Sequence, residues 1–196
     1  CDRGADRGRA ITMTDSTARH ALRAATAAHH DHVDRAFGAF DLTTRSGYTH
    51  FLLAQAHAFL PVEVAIDAAD PHDFLPDWPA RRRSAALLAD LRALGRTPEI
   101  EAPGPLFRNR EEILGAIYVL EGSRLGGRML ARSVPTDLPR SFIGSTDGGM
   151  WRNLIEVLDK LLISEDQLKS ASDAAKRVFA LFQAGALRHE RTTSLG

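Results

Sequence analysis

Three glycines, Gly122, Gly126 and Gly127, fall inside a segment that otherwise reads as one long helix, Tyr118-Val-Leu-Glu-Gly-Ser-Arg-Leu-Gly-Gly-Arg-Met-Leu130. Glycine in a helix interior costs about 1 kcal/mol relative to alanine. A chain that accepts this cost repeatedly needs a bare backbone there, for a neighbouring helix or for something flat or bulky. Gly122 and Gly126 are four apart and share one side of the helix, one turn from each other. On spacing alone, close helix–helix packing is the commoner use of such a pair. Gly127 points elsewhere and is harder to explain by packing. It predicts a local bend or loosening of the helix.

The rest of the chain is patterned for helices as well. Asp15 or Ser16 can cap a first helix reaching about Phe37, with Ala21, Leu22, Ala25, Ala28 and Val33 on its apolar side. Gly38 and the stretch from Asp41 to Gly47 end it. A second helix is expected from about Tyr48 to Asp67, kinked at Pro61. After a loop from Ala69 to Pro76, Pro79 opens a third helix that ends at Gly95. A proline-bearing linker leads to Asn109 and Glu112, a capping box for the glycine-bearing helix, which reaches about Ser133. A loop from Gly144 to Gly149 precedes a helix from about Met150 to Leu162. Ser164 and Gln167 form a second capping box, opening a last helix to about Leu187. No strand-like alternation and no repeat interrupts this pattern. The expected fold is all-α, a single-domain irregular helical bundle of six or seven helices.

A chain of 196 residues suits one such domain. Residues 1–13 are expected to be a disordered extension ahead of Met13, with the folded domain over 14–190 and a frayed tail over 191–196. The 25 Lys and Arg residues balance the 25 Asp and Glu, so no nucleic-acid-binding field is implied. Cys1 is the one cysteine. The absence of a disulfide framework fits a cytoplasmic protein. No apolar run reaches the ~18 residues of a membrane span.

The chain carries no Walker loop, no CxxC and no HExxH. Apart from the glycines, the candidate chemistry lies in Ala28-His-His-Asp-His-Val-Asp34. Binding of a metal by the cluster His29, His30 and His32 is one reading. Adjacent helical residues point about 100° apart, so His29 and His30 do not readily share an ion. A single axial ligand suits the geometry better, because heme (haem) iron takes one imidazole and leaves its other face open. On a generic helix, a histidine is more often a solvated or core residue than a ligand.

Taken together, the two segments resemble the heme oxygenases, especially the bacterial type associated with bacteriophytochromes. Leu22-Arg-Ala-Ala-Thr26-Ala-Ala-His29-His30-Asp-His-Val-Asp34 is similar to the family's proximal segment, in which the ligand histidine stands four residues after a Thr. That register selects His30, with Asp34 in the acidic place. Glu121-Gly122-Ser123-Arg124-Leu125-Gly126-Gly127 is similar to the family's distal helix, whose glycines lie against the heme. Phe40-Asp-Leu, Gly47-Tyr-x-x-Phe-Leu and Trp151-Arg152 add to the likeness, which spans roughly residues 16–187. One position departs from it. Many members carry an Asp after the first distal glycine, where it organises water near bound oxygen; here that place is Ser123, whose hydroxyl can donate and accept.

The resemblance implies oxygen- and electron-dependent cleavage of heme to biliverdin, carbon monoxide and ferrous iron. His30 would be the iron ligand, and Gly122, Ser123 and Gly126 would form the distal wall. Arg23 and Arg152 would meet the propionates, and Phe179 would line the pocket together with Phe182. Both phenylalanines are the kind of residue more often found in plain core. Arg81-Arg82-Arg83 reads as a solvated helix face, with docking of an acidic ferredoxin- or flavodoxin-type donor as its second use. No flavin or nicotinamide site is evident, so electrons would come from that external donor, and a bacteriophytochrome would accept the product. Two other readings compete: a non-catalytic heme-binding or sensing protein of the same fold, and a helical interaction protein without heme.

Overall fold

Seven α-helices and one 3-10 turn make up the described residues of the computed structural model, 18–99, 106–145 and 148–193, and no strand occurs among them. The helices are α1 (Ala18–Phe37), α2 (Arg45–Ala68), α3 (Trp78–Arg81), α4 (Ser84–Ala93), α5 (Arg110–Leu130), α6 (Gly148–Leu161) and α7 (Glu165–Thr193). The expected extension over 1–13 and the first cap at Asp15 or Ser16 lie outside the described residues, as do 194–196 of the expected tail.

Helix α2 starts three residues before the expected Tyr48. The cause is Thr44, whose Oγ1 accepts the Gly47 N–H at 3.1 Å. Gly47 lets this first turn lie on the chain at Asp41, where a Cβ would collide with the backbone. The helix runs on through Pro61 to Ala68. By length and composition α2 could cross a bilayer, yet 56% of that stretch is buried within the fold. It is the central core helix, carrying Phe51, Leu52, Phe59, Val62 and Ile66.

The third helix departs from expectation. Instead of one element from Pro79 to Gly95, the chain forms α3, breaks at Arg82 in an extended conformation, and resumes as α4. The break has a long-range cause. The Glu63 carboxylate, on α2, accepts the N–H of Arg83 at 2.7 Å and of Ser84 at 3.0 Å. It therefore caps α4 from across the core, much as a local N-cap residue would. No local pattern signals this.

Both expected capping boxes form, one of them shifted. Asn109 Oδ1 accepts the Glu112 N–H at 2.9 Å, while the Glu112 carboxylate reaches back to the Arg108 N–H rather than to Asn109. Ser164 and Gln167 cap α7 reciprocally. Helix α7 continues past the expected Leu187 to Thr193.

Helix α7 organises the rest, packing along α1, α2 and α5. Glycines set two of these crossings: a Cβ at Gly115 of α5 would strike the Ala171 carbonyl, and one at Gly185 would lie 2.6 Å from the Ala54 carbonyl of α2. Between the helices lie Leu114, Ile117, Leu154 and Leu158, all fully buried. Burial of such a side chain contributes about 1.5–3 kcal/mol. Helices α1 and α5 scarcely touch each other. Each lies along α7, and α6 touches both.

Candidate active site

Helix α1 buries only a narrow stripe, Ala18, Leu22 and Thr26. Thr26 closes on its own helix, its hydroxyl donating to the Leu22 carbonyl at 2.7 Å. Ala25 and Ala28, expected on the apolar side, are exposed. His30 is 60% exposed, and its Nδ1 lies 3.1 Å from the Asp34 carboxylate, one turn on. With Nδ1–H directed to that carboxylate, the lone pair is left on Nε2, the arrangement that orients a metal-ligating imidazole. The ring meets Phe179 of α7 edge-on, centroids 5.8 Å apart. Phe179 is otherwise buried. His29 and His32 do not join it: the His29 Nδ1 is buried without a hydrogen-bond partner, and among the described residues no group of three metal-binding side chains comes together.

On α5 the glycines reverse the roles that spacing gave them. A Cβ at Gly122 or Gly126 would meet nothing within 4 Å. Neither glycine serves helix packing. Gly127 does: it is buried, and a Cβ there would sit 3.2 Å from the Ile143 carbonyl. The helix is continuous through all three, so the expected loosening is not seen. Gly122 and Gly126 share a face with Tyr118 and Met129. Along this face Leu125 is 39% and Met129 73% exposed. A shallow concavity lined by Leu125, Met129, Arg128 and Arg132 continues it.

Tyr118 marks the other end of that face. It packs on Trp151 of α6 at 5.8 Å, and the Arg19 guanidinium stacks over the same indole at 5.8 Å. Burial raises the Tyr118 phenol above its ordinary value, while the nearby Arg19 and Arg23 pull it back. Arg23 is seven residues before His30, two turns away on the same stripe. Arg19 and Tyr118 were missed in the sequence; a basic residue four before Arg23 was the available signal. Arg152 stands exposed on α6, and it is Trp151 that reaches the group.

Behind α5 the structure overturns the expectation for Arg81-Arg82-Arg83. Arg81 and Arg83 are only 1% and 4% exposed, and Arg82 alone is a surface residue, paired with Asp67. Arg81 is bidentate to Asp77 and donates to the Met150 carbonyl. Arg124 bonds Glu121, Ser145 and the Arg81 carbonyl. The break between α3 and α4 turns Arg81 and Arg83 inward, Arg81 onto Asp77 and the buried Glu121, Arg83 onto the backbone of α5, so the run is no docking face. Burial, with Arg124 beside it, pulls the Arg83 guanidinium down to about 10, which leaves it charged at neutral pH. Ser123 is also committed here. Its hydroxyl donates to the Leu120 carbonyl and accepts from Arg83, leaving it only acceptor capacity toward any water.

No family model matches the chain. A curated heme oxygenase from Xanthomonas campestris pv. campestris (strain 8004) is 34% identical over 112 residues, covering 54% of this chain and 67% of the relative. The chain belongs to the heme oxygenase family. Solved heme oxygenases share the fold. The NO- and CO-bound heme oxygenase from Neisseria meningitidis has a TM-score of 0.77 at 22% identity, covering 89% of this chain and 92% of that one. The heme oxygenase from Leptospira interrogans gives 0.66 at 20% identity, covering 87% and 98%.

The residues of this heme oxygenase fit a flat iron macrocycle. His30 offers one oriented nitrogen, and Gly122 and Gly126 leave a side-chain-free backbone open to a planar surface. Leu125 and Met129 add exposed apolar surface beside them, and the charges of Arg19 and Arg23 act on Tyr118 along the same face.

Proposed function

We propose that this chain cleaves heme to biliverdin, carbon monoxide and ferrous iron, with the substrate held between α1 and α5. The observation that carries the reading is the pair of open glycines on α5, taken with the exposed, carboxylate-oriented His30 on α1. Heme, when bound, supplies the iron at which oxygen is activated and is itself the molecule oxidised. The chain's own residues bind and orient. Nε2 of His30 would hold the iron, with Asp34 fixing the ring through Nδ1 and making the nitrogen a better donor. Gly122 and Gly126 admit the backbone of α5 to close approach, which no other residue type allows. Phe179 supports the imidazole edge and walls the floor. Arg23 pairs with propionate, Arg19 and Tyr118 stand at the same end, and Arg152 is a further cation for that role. Electrons come from an external ferredoxin- or flavodoxin-type donor, which must dock elsewhere than on Arg81 and Arg83. The likeness of the two motifs to the phytochrome-associated type supports a bacteriophytochrome as the acceptor of the product.

The test is titration with hemin, followed by reductant and oxygen. A Soret band that converts to a biliverdin spectrum is expected. Without a Soret band the reading fails, and a stable band without conversion leaves heme binding alone. His30→Ala should lose the normal complex and turnover, with added imidazole restoring part of the band. Normal turnover in that variant would remove His30 from the site.

A further inference from the structure

We propose that Arg83 is a positioning residue for this reaction, holding the first glycine turn of α5 in place from behind. The proposal rests on the heme-cleaving reading above. Its basis is a closed ring of three hydrogen bonds around one helical turn. Arg83 Nη2 donates to the Leu120 carbonyl at 2.7 Å and to Ser123 Oγ at 2.6 Å. Ser123 Oγ donates to that same carbonyl at 2.7 Å. Gly122 lies within the ring's span.

The turn needs such support. Gly122 and Gly126 carry no side chains, and nothing within 4 Å of either would meet a Cβ. The open face therefore supplies no packing, and glycine leaves the backbone its widest freedom. The position of the turn must be set from its other side, where Arg83 stands. The arginine is itself fixed. Its guanidinium lies between the rings of Phe59 at 4.7 Å and Phe142 at 4.9 Å. Its backbone N–H is held by Glu63 at 2.7 Å. A continuous path thus runs from the core helix α2, through Glu63 and Arg83, to the distal turn. A purely structural ion pair would have ended at a carboxylate. Arg83 instead directs Nη2 at the backbone and hydroxyl of the segment that faces substrate. Small errors in such placement are costly to oriented chemistry.

The experiment compares the wild-type chain with Arg83→Gln, Arg83→Lys and Ser123→Ala. The first readout is amide hydrogen exchange without heme. In Arg83→Gln, amides 122–127 should exchange about tenfold faster or more, while those of α7 stay protected. Arg83→Lys, with a point charge in place of a fork, should lie between. The second readout is the distribution of biliverdin isomers, which should broaden in Arg83→Gln although a Soret band still forms. Unchanged exchange over 122–127 together with an unchanged isomer distribution would overturn the proposal. If Arg83→Gln does not fold, Ser123→Ala decides, since it opens the ring while leaving the arginine in its sandwich. Faster exchange confined to 122–127 would support the proposal; wild-type exchange would overturn it. A wild type without a Soret band would instead defeat the heme reading, an outcome the exchange data do not share.

Discussion

At the scale of single residues, Gly122 and Gly126 of α5 make predictions opposite to that of Gly127. Gly122→Ala and Gly126→Ala add a Cβ to open space and lower the entropy of the unfolded chain. Each should stabilise the ligand-free protein by about 0.5–1 kcal/mol, seen as a higher Tm, while weakening heme binding and turnover. Gly127→Ala should lower the Tm instead, because its Cβ presses on the Ile143 carbonyl at 3.2 Å. A Tm loss at Gly122 or Gly126 would mean that the face is packed after all. Spacing alone favoured packing at Gly122 and Gly126 and not at Gly127, the reverse of what is found, whereas the resemblance already left Gly122 and Gly126 open. Spacing says which glycines share a side; it does not say whether that side meets protein or substrate. The approach of His30 to Asp34, at 3.1 Å, was legible in the register of the resemblance. Arg19 and Tyr118 were not, because only the packing of α6 brings them together.

At the scale of elements, the boundaries that local chemistry sets were readable. Asn109, Ser164 and Gln167 cap where their side chains predict. The break between α3 and α4 was not, because its cap lies 20 residues away on α2. That cap has a pH signature. Burial raises the Glu63 carboxyl above its ordinary value of 4.5, against the Arg83 and Ser84 hydrogen bonds that lower it. The native state therefore binds more protons than the unfolded chain between 4.5 and the raised value. The stability this group contributes falls as pH rises through that window. In Glu63→Gln nothing titrates there. The Tm of wild type minus that of the variant should decline as pH rises above about 4.5. A difference independent of pH would show that the carboxyl is not perturbed.

At the scale of the whole molecule, the all-α class followed from periodicity, but the dominance of α7 did not. Its register against α5 and α2 is set by bare backbone at Gly115 and Gly185, and neither glycine looks special in the sequence. Heme binding between α1 and α5 should stabilise the native state by about 2.7 kcal/mol at a hundredfold excess over Kd. Thermal unfolding at several hemin concentrations checks this, and a Tm insensitive to hemin would refute it. The two helices that would clasp the substrate scarcely touch each other, yet each lies along α7. They are like the covers of a book hinged on one spine. A tilt of α7 would move both covers, so substitutions along its length, far from any reacting atom, can change how wide the book opens.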